Sequence, residues 1–233
     1  MLLIAHRGGP DTYPEQTIQS CREALSFGAD LVEIDVRLTA DNQAAMTHDP
    51  DAQRIFGFEK AIIDMTTAEF KALRHAKDPA FCSHMIADTF VAGLKPLVIH
   101  VKEKRALSAL LKVIDEYDYA ENVTIGVTDV ESVTRIRNHN PAIKILSFSR
   151  TVDQIPGMVK AGASYVRLWE NWLTVENVQM VRDLGAQVWV MSGVLHKNVG
   201  YPSEEDLKKI LSYKPDGLLI NEIRFAKRVI SEM

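Results

Sequence analysis

Long apolar runs are missing from the 233 residues, and none of the hydrophobic stretches present could span a bilayer. Cysteine is nearly missing as well. Only Cys21 and Cys82 occur, far apart and without metal-ligand spacing, which excludes a disulfide framework and a thiolate metal site and fits buried or idle thiols in a reducing compartment. There is no excess of positive charge. The 27 Lys and Arg against 31 Asp and Glu leave a formal charge of −4, and the basic residues are scattered, so nucleic acid is not an expected partner. No repeat, low-complexity tract or linker marks a second autonomous domain. The opening run Leu2-Leu3-Ile4-Ala5 lacks the basic flank and the length of a signal sequence, so the expected location is cytoplasmic.

What is present is an alternation. Short runs rich in Val and Ile are followed by longer segments of helical period, the pattern of a parallel sheet with crossover helices. Strands are predicted near 2–6, 31–36, 44–48, 97–101, 123–127, 143–147, 164–168, 187–191 and 217–220. Helices are predicted over roughly 15–27, 66–74, 104–117, 129–139, 152–161, 174–184, 203–212 and 223–231. Thr66 with Glu69 and Thr128 with Glu131 read as capping boxes, and Gly28, Gly162 and Gly185 sit where helices should stop.

An α/β chain of this length, with apolar residues at 46%, fits one (β/α)8 TIM barrel over residues 1–233. Nine strands are one too many for it. The Asp41-Asn42 pair suits a two-residue hairpin with both residues at positive φ, which makes 44–48 a return strand above the rim and sets Asp35 opposite His48. The segment 49–94 that follows this third strand motif holds one clear helix and is expected to be a small insertion near the mouth.

A parallel barrel collects its active site from the C-terminal ends of its strands. Here those ends read His6-Arg7-Gly8-Gly9, Glu33-Ile34-Asp35, His48-Asp49 and His100-Val101-Lys102. Alternation aims Glu33 and Asp35 to one side while Val32, Ile34 and Val36 face away; likewise Val98, His100 and Lys102 oppose Leu97, Ile99 and Val101. Two carboxylates converging on one point repel unless a cation lies between them. Each group alone has a plain structural reading: a hydrogen-bonded histidine at a strand end, or rim ion pairs of Glu33 and Asp35 with Arg7 and Arg37. The coincidence of three His, two carboxylates, one Arg and one Lys at one end of neighbouring strands points to chemistry instead. His75, His84, His139 and His196 fall in helices or loops and read as solvated surface.

The stretches "HRGGPDTYPEQT", "GADLVEIDVRLTADNQAAMTHDP" and "PLVIHVKEK" resemble the glycerophosphodiester phosphodiesterases, members of the phospholipase C-like phosphodiesterase superfamily. The likeness continues through "VWVMSG" and "PDGLLINE". It implies a barrel that hydrolyses glycerophosphodiesters, or related sugar-alcohol phosphodiesters, to an alcohol and a phosphomonoester with the help of a divalent metal, commonly calcium or magnesium. Carried over, Glu33 and Asp35 become metal ligands, His6 and His48 the acid/base pair, and Arg7 and Lys102 phosphate partners. The set is chemically coherent. Cationic groups must offset charge growing on the phosphoryl oxygens, and imidazole can both take and deliver a proton near neutrality.

Departures from the family pattern are equally specific. Where the resemblance expects a third carboxylate ligand on the fourth strand stands His100; imidazole suits manganese or zinc better than calcium or magnesium, so the swap changes the metal, weakens its binding or removes it. Gln16 replaces Asn, and Asn221 replaces Asp. Glu15 survives, either as a ligand or acceptor in the substrate pocket or as an acid in a helix first turn. Trp189 resembles the aromatic that packs on the alcohol moiety, with a core-facing Trp as the alternative. Arg167, Trp169 and Trp172 form either a cationic and aromatic edge for a ligand or an anchor for the rim. Two other readings compete with the hydrolase. One is a phospholipase-type lyase that stops at a cyclic phosphate; the other is a degenerate barrel that binds a small phosphodiester without turnover. The sequence sets neither headgroup nor oligomeric state.

Overall fold

The computed structural model describes residues 1–195 and 198–233; His196, read as a surface histidine, lies outside them. In chain order the strands are β1 (Leu2–Ala5), β2 (Leu31–Leu38), β3 (Ala44–Met46), β4 (His84–Met85), β5 (Leu97–Val101), β6 (Val123–Val127), β7 (Lys144–Ser147), β8 (Tyr165–Trp169), β9 (Gln187–Met191) and β10 (Gly217–Ile220). The helices are α1 (Ile18–Ser26), α2 (Gln53–Phe56), α3 (Thr67–Ala72), α4 (Ile86–Val91), α5 (Ala106–Glu116), α6 (Val130–His139), α7 (Ile155–Lys160), α8 (Val175–Asp183), α9 (Glu204–Ser212) and α10 (Ile223–Ser231). Strands β1, β2 and β5 to β10 pair in parallel, and the pairing of β1 with both β10 and β2 closes them into an eight-stranded barrel. The predicted return strand is β3, antiparallel on β2, with β4 antiparallel beyond it.

Alternation along the strands divides the apolar side chains. Leu97, Ile99, Val32 and Ile34 face the helices and join a core with Leu107, Leu110 and Ile114 of α5. Ile4, Val98, Leu146, Phe148, Trp189, Met191 and Leu219 fill the barrel interior. Trp189 fits because Gly217 lies beside it: a Cβ there would stand 2.7 Å from the indole ring. The insertion packs a small core of Ala52, Ile62, Met65, Phe70 and Met85 against Ala45 of β3.

Several local details differ from expectation. The hairpin loop has three residues, with Thr39 N–H donating to Gln43 O and Asn42 N–H to Thr39 O. Only Asn42 has positive φ, 56°. The carboxylate of Asp41 is engaged with Thr39 and Thr67, so the register moves by one and Thr47, not His48, bonds to Asp35. Helix α4 was missed, being short and without a Ser or Thr cap, yet its Ile86 and Phe90 belong to the barrel core. Helix α1 starts at Ile18 behind an N-cap at Thr17, so Glu15 is not in its first turn. The box at Thr66 forms as expected, whereas α6 is capped by Asp129 accepting from Ser132, not by Thr128. His75 is buried against Phe56 and Phe81 instead of solvated. No described helix is long and apolar enough to cross a membrane.

Candidate active site

The C-terminal ends of β1, β2 and β5 bring His6, Arg7, Glu33, Asp35, His100 and Lys102 together, and the chain leaving β3 adds His48. Glu33 and Asp35 are each only 1% exposed. Among the described residues, Glu33, Asp35 and His100 form a group whose ligand atoms all lie within 4.8 Å of one another. His100 Nδ1 is 3.2 Å from Asp35 Oδ1 and 3.9 Å from Glu33 Oε1, while Lys102 Nζ is 3.5 Å from the same Asp35 oxygen. None of these approaches gives Asp35 Oδ1 an aligned hydrogen bond. A buried carboxylate oxygen without a donor, beside a second carboxylate and an imidazole, fits a divalent cation.

The titration behaviour agrees. Burial, reinforced by the charge of Asp35, raises the Glu33 carboxyl well above the ordinary range. Burial alone would raise Asp35 too, but Lys102 and His100 carry it below the usual carboxylate value. Burial lowers His100 to about 4, leaving a neutral ring with a lone pair to offer a metal.

The two other histidines are held by their Nδ1 atoms. His6 Nδ1 lies 2.8 Å from Asn221 Oδ1, and the Asn221 amide nitrogen donates to Val199 O at 3.2 Å. Since Oδ1 can only accept, His6 carries its proton on Nδ1 and keeps Nε2 as a bare acceptor. Burial, then the charge of Arg7, lowers His6 to about 4. His48 Nδ1 donates to Asp49 Oδ1 at 2.7 Å, and its Nε2 accepts from Arg7 Nη2 at 2.9 Å. Burial and the charges of Lys102 and Arg7 keep His48 below its ordinary value. Both rings are therefore neutral near pH 7.

The backbone around these groups is unusual. Arg7 and Gln16 are non-glycine residues at positive φ, 53° and 57°, and Gln16 N–H donates to Arg7 O at 2.9 Å. Such conformations persist where the surroundings enforce them, and they cluster at functional sites. This one aims Arg7 N–H at Glu33 Oε2, 2.9 Å away, and sends the Gln16 side chain to Asp35. Gln16 Nε2 donates to Asp35 Oδ2 at 2.7 Å while its Oε1 accepts from Asp35 N–H at 3.2 Å.

Glu15 stands at the mouth between two guanidiniums, with Arg7 Nη1 at 3.3 Å and Arg54 Nη2 in contact; Arg54 also reaches Asp49. Glu15 and Arg54 line a cavity of about 520 Å³ with Tyr13, His75, Phe81 and Tyr201.

Trp189 is the sequence-predicted residue that the fold keeps away. It is fully buried, stacked on Tyr165 at 4.4 Å inside the barrel, and has no surface for a substrate. The aromatic at the centre is Phe148, stacked on His100 at 3.9 Å with an interplanar angle of 12°. Gly126 makes that possible, since a Cβ there would fall 2.3 Å from the Phe148 ring. Sequence reasoning missed Phe148 and Arg54, named Asp49 at a strand end without a role, and noted Gln16 and Asn221 only as departures. The signal available for Phe148 was its place one residue beyond a strand end, beside a lone strand glycine.

Comparison with known proteins was made on this geometry. The Glycerophosphoryl diester phosphodiesterase family profile matches residues 6–224. A glycerophosphodiester phosphodiesterase of Caldanaerobacter subterraneus is 29% identical over 157 residues, which span 62% of this chain and 65% of that one, just under two thirds of its length. Among solved structures, a glycerophosphoryl diester phosphodiesterase from Parabacteroides distasonis superposes with a TM-score of 0.82 at 20% identity, over 99% of this chain and 86% of that one. An Oleispira antarctica phosphodiesterase in complex with the product sn-glycerol-3-phosphate gives 0.83 at 17% identity, over 99% and 97%. At such identities the structural likeness is one of fold; with a profile match over nearly the whole length, the chain belongs to the glycerophosphoryl diester phosphodiesterase family.

Proposed function

We propose that this chain is a metal-dependent hydrolase of glycerophosphodiesters in which His6 and His48 share the proton transfers. The observation that carries this reading is the pair of neutral histidines, each with its Nδ1 proton fixed and its Nε2 turned acceptor, next to the buried carboxylates Glu33 and Asp35 whose oxygens converge with His100. The reading takes residues 1–233 as one catalytic domain, with the segment after Asp49 shaping the mouth.

Glu33, Asp35 and His100 would hold the metal, which when bound would supply positive charge to the phosphoryl oxygens. The mixed oxygen and nitrogen donors favour manganese or zinc over the calcium or magnesium of the family resemblance. Arg7 and Lys102 bind the phosphate. At rest Arg7 donates to His48 Nε2, so an arriving phosphate that draws the guanidinium away also frees His48 to act. His6 Nε2 takes a proton from the nucleophile, and His48, once it has taken up a solvent proton on the Nε2 that Arg7 vacates, with its Nδ1 held by Asp49, delivers that proton to the leaving alkoxide. The cavity beside Glu15 receives one alcohol arm of the diester. Two unpaired thiols, Cys21 and Cys82, keep the cytoplasm as the proposed compartment.

The test is hydrolysis of glycerophosphocholine, glycerophosphoethanolamine and glycerophosphoglycerol by chelated protein resupplied with calcium, magnesium, manganese or zinc. Turnover with at least one metal, lost on chelation, is expected. An inert protein across the whole panel would sink the reading, and a cyclic phosphate that never opens would convert it to the lyase.

A further inference from the structure

A diester has two alcohol arms, and the cavity beside Glu15 accommodates one of them. On the other side of the site stands a buried charge that none of the proton-transfer or metal chemistry uses. Arg167, on β8, is 4% exposed. Its guanidinium carbon lies 3.6 Å from the Trp169 ring centroid, 5.3 Å from that of Phe148 and 5.6 Å from that of Trp172. Its Nε and Nη1 have no hydrogen-bond partner, and Nη2 reaches the Ser149 carbonyl only at 3.5 Å. Among the described residues no carboxylate pairs with it. Burial alone brings it down, to about 9, and its charge is felt by His100.

A buried cation without a counter-ion is destabilising, and contact with aromatic faces offsets only part of that cost. Neighbouring interior positions are filled by Leu146 and Trp189 at no such cost. The surrounding rings hold the guanidinium in place while its buried Nε and Nη1 stay without partners, donor capacity that an anionic group brought against them would satisfy. Phe148 ties this guanidinium to the reaction centre, because the same ring stacks on His100.

We propose that Arg167 is a specificity residue that binds a second anionic group, a carboxylate or a phosphate, carried on one alcohol arm of the substrate, so that the preferred diester bears a charge beyond its reacting phosphate. The inference rests on the phosphodiesterase reading for where that phosphate sits.

Two probes differing in one group decide it: sn-glycerol 3-phosphate and 3-phosphoglycerate, in which a carboxylate replaces the terminal carbinol. Both are titrated by calorimetry, with manganese present, into wild-type protein, Arg167→Gln and Arg167→Lys, each first checked for folding by thermal melting. Wild type is expected to bind the carboxylate probe about ten- to a hundredfold more tightly, the increment of a hydrogen bond to a charged group. The ratio falls to about one in Arg167→Gln and to an intermediate value in Arg167→Lys, which keeps charge but loses the planar fork. Equal affinities in wild type, or a preference that survives Arg167→Gln, overturn the proposal. Should Arg167→Gln not fold, an undiminished preference in Arg167→Lys overturns it as well. Absence of hydrolysis on the glycerophosphodiester panel refutes the enzyme reading separately, and the calorimetric ratio still reports on Arg167.

Discussion

Replacing Asn221 with Asp exchanges the amide that holds His6 for a carboxylate 2.8 Å from Nδ1. In the wild type burial lowers the ring to about 4, against about 6.5 for an unperturbed imidazole. An opposite charge at hydrogen-bond distance raises such a group by about one to three units, so His6 in Asn221→Asp is expected between about 5 and 7. At 1.36 kcal/mol per unit, that is roughly 1 to 4 kcal/mol in favour of the imidazolium. The carbonyl of Val199 loses its donor, a cost of about 1 to 3 kcal/mol to the fold. Stability responds in a definite direction. At pH 7 His6 is neutral in both folded and unfolded chains. As pH falls below 6.5 the unfolded chain takes a proton that the folded wild type refuses, and stability drops until the folded ring also protonates near 4. The wild type therefore loses roughly 3 kcal/mol through His6 across that window, and Asn221→Asp loses less. Proton–carbon NMR titration of the His6 Cε1 signal, assigned with His6→Gln, measures the shift directly. The acid limb of kcat/KM should move up by the same number of units. A His6 value that stays near 4 in Asn221→Asp would refute the electrostatic reasoning, and a moved value with an unmoved acid limb would refute His6 as the base.

Other consequences are open to measurement. His6→Ala and His48→Ala should each lower kcat by about a hundredfold or more while leaving the circular dichroism of the barrel intact; activity near wild type would remove either residue from the proton transfers. His100→Glu restores an all-oxygen ligand set and should shift the metal giving the largest rise in melting temperature toward calcium or magnesium, whereas an unchanged metal ranking would place His100 outside the coordination sphere. Gln16→Leu removes both hydrogen bonds to Asp35 and should weaken metal binding about ten- to a hundredfold by equilibrium dialysis, with unaltered affinity counting against that support. Trp189→Ala should cost about 3 to 5 kcal/mol in urea unfolding as an interior cavity. A rise in KM without loss of stability would return Trp189 to the substrate.

The barrel was legible because its strands advertise themselves. Runs such as Leu97 to Val101 are too short for helices and too apolar for surface, and the polar residues that interrupt them share one face. The same alternation put His100 and Lys102 on one face, and in the structure that face meets Asp35. Alternation fails where a side chain leaves the strand. For Trp189 the resemblance suggested a substrate contact with a core-facing ring as the alternative, and the core reading holds because Gly217 across the barrel makes room for the indole. The hairpin register slipped by one because the Asp41 side chain found Thr67, a partner 26 residues away. Gln16 looked like a loose substitution since its importance lies in a left-handed backbone that no local pattern announces.

Closure of the barrel has a consequence for the timing of synthesis. The residue that sets the tautomer of His6 lies 215 positions further along the chain. On the ribosome His6 is made long before Asn221, and its Nδ1 is without that partner until β10 emerges and pairs with β1. Until then β1 and β9 expose unsatisfied strand edges to whatever else is nearby. The last seam of the barrel and the hydrogen bond that orients His6 are thus completed together, and a chain released before β10 would leave His6 unheld and be prone to pair with its neighbours.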